Sequence, residues 1–246
     1  MHTISVIIPA YNEESRLPEY LDSILEYFKD IEVIPEIIVV DDGSTDSTSA
    51  VVNTYSISHQ NVNLIRLPYN RGKGFSVRTG MLAARNSLRL FADADGATPI
   101  KEVERLMGAI KNGADVAIGS RALHNDECLV KGSFHRKVMG AIFNVIVRTM
   151  AVKGIFDTQC GFKLFTKESA ESVFPLQRIN DFGFDVEILY LSRQRGFKIA
   201  EVPVNWKDVK SSKVKLFRDS FRMFVDIIKV RVNDLCGAYS YFDIKK

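Results

Sequence analysis

The feature that most constrains this 246-residue chain is a repeated alternation. Short β-branched or aliphatic runs end in acidic or glycine-rich turns, and each turn opens an amphipathic stretch. Ile4–Pro9, Glu36–Val40, Leu64–Leu67, Arg89–Ala92 and Asp115–Gly119 read as short buried strands. Helices are expected from Leu17 to Phe28, from Ser47 onward, from the turn at Asn70–Gly74 to about Ser87, and over Ile100–Asn112. Apolar strands alternating with helices define an α/β fold, a mostly parallel, Rossmann-like doubly wound sheet with helices on both faces. The length suits one large domain with a short appendage, and 46% apolar with 26% charged residues is enough to bury a full core.

Open α/β sheets gather ligands at the carboxyl ends of their strands. Asp93 and Asp95 leave such an end two residues apart, which in extended backbone places both carboxylates on one side of the chain. A carboxylate pair there can hold a hard divalent cation, Mg²⁺ or Mn²⁺, and that cation can neutralise a diphosphate. The plainer alternative is an acidic turn with Asp as a helix cap. Asp41 and Asp42 stand at the end of the second strand, where Asp46 or Ser47 already supplies a cap, so two further carboxylates point to a ligand. Asn70-Arg71-Gly72-Lys73-Gly74 can offer backbone N–H groups to phosphate, though it lacks the length and trailing hydroxyl of a Walker loop.

Three widely spaced cysteines form neither a metal-ligand pattern nor a disulfide framework. No signal peptide and no membrane-spanning run is read from the sequence. The net charge of +3 is uneven: segments 131–153 and 207–231 each carry +5, and the remainder carries −7. Both segments have helical apolar spacing. In the second, Phe217, Phe221, Phe224, Ile228, Val232 and Leu235 fall on one stripe flanked by Lys215, Arg218, Arg222 and Lys229. Basic amphipathic helices lie in membrane interfaces; helices packed on the core or in an oligomer are the competing reading.

The motifs Val6-Ile7-Ile8-Pro9-Ala10-Tyr11-Asn12-Glu13, Val39-Val40-Asp41-Asp42-Gly43-Ser44, Asn70-Arg71-Gly72-Lys73-Gly74, Asp93-Ala94-Asp95 and Ile118-Gly119-Ser120-Arg121 come in the order found in inverting GT-A glycosyltransferases of family 2. Asp157-Thr158-Gln159-Cys160-Gly161-Phe162-Lys163, Phe184-Asp185-Val186-Glu187, Glu201-Val202-Pro203-Val204-Asn205-Trp206 and Ser212-Lys213 resemble its polyprenyl-phosphate branch. The wording Asp-Ala-Asp-Gly-Ala-Thr is similar to that of the dolichyl-phosphate β-glucosyltransferases. One departure is Ser211, where a Gly commonly precedes the Ser-Lys pair.

The resemblance implies a GT-A domain over 1–212, with a nucleotide-sugar half of about 1–121 and an acceptor half of about 122–212, and a basic amphipathic helix and tail over 213–246. It implies that Pro9, Tyr11, Glu13, Asp41 or Asp42, and Lys73 surround the nucleotide sugar. Asp93 and Asp95 would face ribose, diphosphate and metal. Arg121, Lys207 and Lys213 would meet the acceptor phosphate or the sugar diphosphate. Asp185 and Glu187 would act as base for a hydroxyl acceptor or position a phosphate acceptor. The reaction implied is transfer of glucose from UDP-glucose to polyprenyl phosphate. It would run at the cytoplasmic face of a membrane, peripherally, as a homo-oligomer or with a membrane-anchored partner, and without nucleic acid. The alternatives are GDP-mannose as donor, a saccharide hydroxyl as acceptor, and a non-enzymatic nucleotide-binding subunit.

Overall fold

The computed structural model describes residues 3–123, 128–131, 152, 154–207 and 216–240. Five strands match the expected runs: β1 (Ile4–Ala10), β2 (Glu36–Asp41), β3 (Val62–Arg66), β4 (Leu88–Ala92) and β5 (Val116–Ser120). After the two-residue β6 (Val130–Lys131) come β7 (Phe162–Thr166), β8 (Ile199–Pro203) and a short β9 (Trp206–Lys207). The seven-stranded sheet has the order β3-β2-β1-β4-β7-β5-β8, while β6 and β9 pair separately. All neighbours in the large sheet are parallel except β7, which runs antiparallel between β4 and β5. The fold is the expected GT-A type, a mostly parallel sheet covered on both faces.

The helices are α1 (Leu17–Asp30), α2 (Thr48–Ser58), α3 (Lys73–Ala83), α4 (Val103–Lys111), α5 (Lys167–Val173), α6 (Phe184–Gln194) and α7 (Leu216–Leu235). Side chains of α1, α2 and α4 pack with Ile4, Val6 and Ile8 on one face of the sheet. Those of α3, α5, α6 and α7 pack with Ile7, Val40 and Phe91 on the other. Alternate residues of β1 thus feed opposite cores, as the period-2 geometry of a strand demands.

Two expected helices differ in extent. The third stops at Ala83 because Ala84 turns extended, and Asn86 Nδ2 donates to the Ile4 carbonyl at 2.8 Å. The fourth begins as a tight 3₁₀ turn at Ile100–Glu102 behind Pro99 before settling into α4. The first basic helix, Lys213 and the boundary at 212/213 lie outside the described residues.

The antiparallel strand matters most for the site. Running against β4, it brings its entry, Asp157–Gly161, to the carboxyl edge where β1, β2, β4 and β5 end. The Asp93 amide donates to the Gly161 carbonyl across that edge at 3.0 Å.

Candidate active site

At the end of β4 the backbone passes Gly161 so closely that a Cβ there would fall 2.0 Å from Asp93 Oδ2. Glycine is therefore the residue that lets Asp93 take its position. Asp95 folds back on its own turn, Oδ1 accepting the Ala97 amide at 3.0 Å. Partial burial, then the neighbouring Asp93 charge, push the Asp95 carboxyl upward. Two repelling, half-buried carboxylates are the situation that a divalent cation relieves.

Lys73 opens α3 and reaches Asp93 Oδ1 at 2.6 Å. Burial works against its ammonium, but Asp93, Asp185 and Asp95 together raise its pKa, so it stays protonated. Its Nζ lies 5.4 Å from the Phe91 ring centroid and 5.9 Å from that of Phe182. Gly72 precedes it at φ +98°, where a Cβ would fall 2.5 Å from the Asn180 carbonyl oxygen. Positive φ and lack of space both demand glycine.

Asp42 fixes this turn by accepting the amides of Arg71 at 2.7 Å and Gly72 at 2.9 Å. Asp41 is fully buried and bonds to the Ser44 amide at 2.9 Å and to the Ser49 hydroxyl. Asp41 thus braces its own turn and the start of α2. Both carboxylates are taken up by protein donors. Asp46 does cap α2, accepting the Thr48 amide at 2.9 Å. Glu13 is held by Arg16 through bonds of 2.7 and 2.5 Å. Pro9 is buried within β1, and Tyr11, beyond its end, is 38% exposed.

Arg121 leaves β5 and forms a fork on Asp157, with Nε at 2.7 Å and Nη2 at 2.9 Å, over the Trp206 ring. Burial would raise the Asp157 carboxyl, but Arg121 holds it below the usual range. Asp157 is itself fixed by Glu201, which accepts its amide at 2.7 Å. Lys207 is exposed on β9, and its amide donates to the Ala97 carbonyl at 2.9 Å, placing it beside the Asp95 turn.

The two acids of α6 separate. Asp185 is buried and pairs with Lys163 Nζ, which also donates to the Cys160 carbonyl at 2.5 Å. Lys163 is fully buried and lies over the Phe91 ring that Lys73 also approaches. Burial raises the Asp185 carboxyl, and Lys163 and Lys73 oppose that shift. Glu187 is fully buried and accepts the amides of Arg178 and Ile179, at 3.1 and 2.8 Å, and the Tyr239 hydroxyl at 2.6 Å. Its carboxylate braces the loop before α6 and the turn after α7.

The structure therefore brings Lys73, Asp93, Asp95 and Asp185 together, with Lys207 at the rim and Arg121 on Asp157 alongside. Lys163 was not singled out in the sequence, although a lysine inside Cys-Gly-Phe-Lys-Leu-Phe is a signal: a charge in a buried strand requires an opposite charge. Among the described residues no three His, Cys, Asp or Glu side chains form a metal cage. The donor set instead fits a cation held by one or two carboxylates and substrate phosphates, as Mg²⁺ commonly is.

A GT-A sheet with an Asp-x-Asp turn at its carboxyl edge defines a glycosyltransferase. The family model described as Glycosyl transferase family 2 matches residues 5–174, and the chain belongs to that family. It is 44% identical to the dolichyl-phosphate beta-glucosyltransferase of Dictyostelium discoideum over 96% of this chain and 76% of that protein. It is 39% identical to the Homo sapiens protein of the same name, over 99% and 79%. Among solved structures, glucosyl-3-phosphoglycerate synthase from Mycobacterium tuberculosis in complex with Mn²⁺, uridine diphosphate and phosphoglyceric acid superposes with a TM-score of 0.69. That match has 19% identity and covers 99% of this chain and 80% of that one, a likeness of fold.

Proposed function

We propose that this protein transfers glucose from UDP-glucose to dolichyl phosphate with inversion at the anomeric carbon. The observation that carries this reading is 44% identity, over 96% of the chain, to a dolichyl-phosphate beta-glucosyltransferase. An ionised phosphate oxygen of the acceptor attacks the anomeric carbon, the bond from that carbon to the UDP oxygen breaks, and UDP leaves from the opposite face. The second phosphate pKa is about 6, so the nucleophile is already anionic near neutrality and needs no general base. That agrees with an α6 whose Asp185 is tied to Lys163 and whose Glu187 is tied to backbone.

Asp95, with Asp93, would hold Mg²⁺ or Mn²⁺, which when bound offsets charge developing on the leaving diphosphate. Lys73 supplies a second positive charge at the same edge, exchanging Asp93 for diphosphate oxygen. Arg121, held rigid by Asp157, and Lys207 at the rim receive the acceptor phosphate. Asp42 acts indirectly by fixing the amides of the 71–72 turn. In calorimetry UDP should bind at least about tenfold tighter than GDP, about 1.4 kcal/mol. Tighter GDP binding would move the donor to GDP-mannose.

The acceptor's tail remains in a bilayer, and among the described residues no helix is long and apolar enough to cross one. We assign membrane contact to α7. Its Ile227 and Val230 are buried, whereas Ile228 is 41%, Val232 49% and Leu235 83% exposed. The Phe217, Phe221 and Phe224 side chains lie outside those described. Each Lys or Arg near an anionic surface adds about 1 kcal/mol. The protein should sediment with anionic vesicles at low salt and be released by high salt. Charge reversal at Arg218, Arg222 and Lys229 should abolish that binding, and retention by neutral vesicles alone would contradict the assignment.

A further inference from the structure

The turn that closes α7 is stitched to the donor edge by a continuous set of hydrogen bonds. Tyr239 is 3% exposed and donates its hydroxyl to Glu187 at 2.6 Å. Arg178 Nε and Nη2 donate to the Ala238 carbonyl at 3.0 and 2.7 Å. Arg195 Nη2 donates to the Tyr239 carbonyl at 3.2 Å. Glu187 in turn accepts both amides at the start of the 178–183 loop.

The far side of this loop holds the start of α3. Gln177 Nε2 donates to the Gly74 carbonyl at 2.8 Å, and Arg78 Nη1 to the Gln177 carbonyl at 2.6 Å. The Phe75 amide donates to the Asn180 carbonyl at 3.2 Å. Gly72 and Lys73 sit on that same turn, Gly72 packed against the Asn180 carbonyl and Lys73 Nζ 5.9 Å from the Phe182 ring centroid. The loop is thus bonded on one side to the start of α3 and on the other to Glu187, whose remaining hydrogen-bond donor is the Tyr239 hydroxyl.

We infer that Tyr239 is a positioning residue for the donor site: by satisfying Glu187 it locks the 177–180 loop, and through that loop it sets Lys73 and the 71–75 turn for the diphosphate. This rests on the donor reading above. Removing one hydroxyl donor from a buried carboxylate leaves that group under-satisfied, an effect large enough to change affinity about tenfold if it is transmitted to the turn.

The test uses the full chain with UDP and Mn²⁺ as probe, in Tyr239→Phe and in Arg178→Ala. Arg178 is largely exposed, so the second variant keeps the test valid should the first fail to fold. Both should bind UDP more weakly, by about tenfold and about threefold, with the donor KM rising and the acceptor KM unchanged. Amide hydrogen exchange at residues 72–76 should quicken in both. UDP affinity within about twofold of wild type, with unchanged exchange at 72–76, would overturn the inference even if melting temperature fell, because the turn would then be only structural. If wild type binds no UDP the donor reading fails, while the exchange rates still decide whether Tyr239 governs the 72–76 turn.

Discussion

Asp95→Asn is expected to abolish most turnover, by about 10²–10³-fold, while the fold and melting temperature are kept. The carboxylate is half-buried beside Asp93, and its charge is held against both burial and repulsion. Lys73, Arg16 and the Ala97 amide offset only part of that cost and a divalent cation would relieve the rest, so the amide variant should be at least as stable as the parent. Chelation with EDTA should reproduce the loss, and Mg²⁺ or Mn²⁺ should reverse it in the parent and not in the variant. Full activity in chelator would remove the metal from the reaction.

Gly161→Ala should have an effect of similar size by a different route. The new methyl would stand 2.0 Å from Asp93 Oδ2, so the carboxylate must move. It is the far end of a side chain at a half-exposed edge, and it can rotate away without disturbing the sheet. Displacing a site group by about 1 Å can cost about 10²-fold in rate. The signature is non-additivity. Gly161→Ala and Asp93→Ala should each impair turnover, and the double variant should be little worse than Asp93→Ala alone, since the glycine acts only through that carboxylate. An additive loss would show that Gly161 acts elsewhere.

The parallel frame was legible because its determinants are local. β1, β2 and β4 are apolar runs that no solvent-facing strand could carry, and the turns after them break with Asp, Gly or Asn. The place of Asp93-Ala94-Asp95 at a strand end was likewise legible, but its backbone was not: β4 ends at Ala92 and the pair sits on a turn closed by the Gly96 amide on the Asp93 carbonyl, not on extended chain.

What was not legible depends on partners distant in sequence. β7 is inserted antiparallel between β4 and β5, and nothing in Phe162–Thr166 states its neighbours. Its insertion is what buries Lys163 against Asp185, and what places Asp157 under Arg121, 36 residues away. Asp41 and Asp42 are adjacent in sequence, yet one caps its own turn and the other anchors the turn at residues 71–72; adjacency cannot say which amides point where. Glu187 sits two residues from Asp185, but a helical step of about 200° turns it toward the C-terminal turn. The apolar spacing in α7 marked Ile228, Val232 and Leu235 as one stripe, and these side chains are exposed, while Ile227 and Val230 carry the packing.

The most direct measurement is product formation. The protein is incubated with Mn²⁺, dolichyl phosphate and either UDP-glucose or GDP-mannose, and the lipid product is analysed for sugar identity and anomeric configuration. Transfer of glucose from UDP-glucose alone, giving a β-linked glucosyl phosphate on the lipid, is the expected result. Transfer from GDP-mannose, retention at the anomeric carbon, or turnover only with a saccharide hydroxyl as acceptor would contradict it.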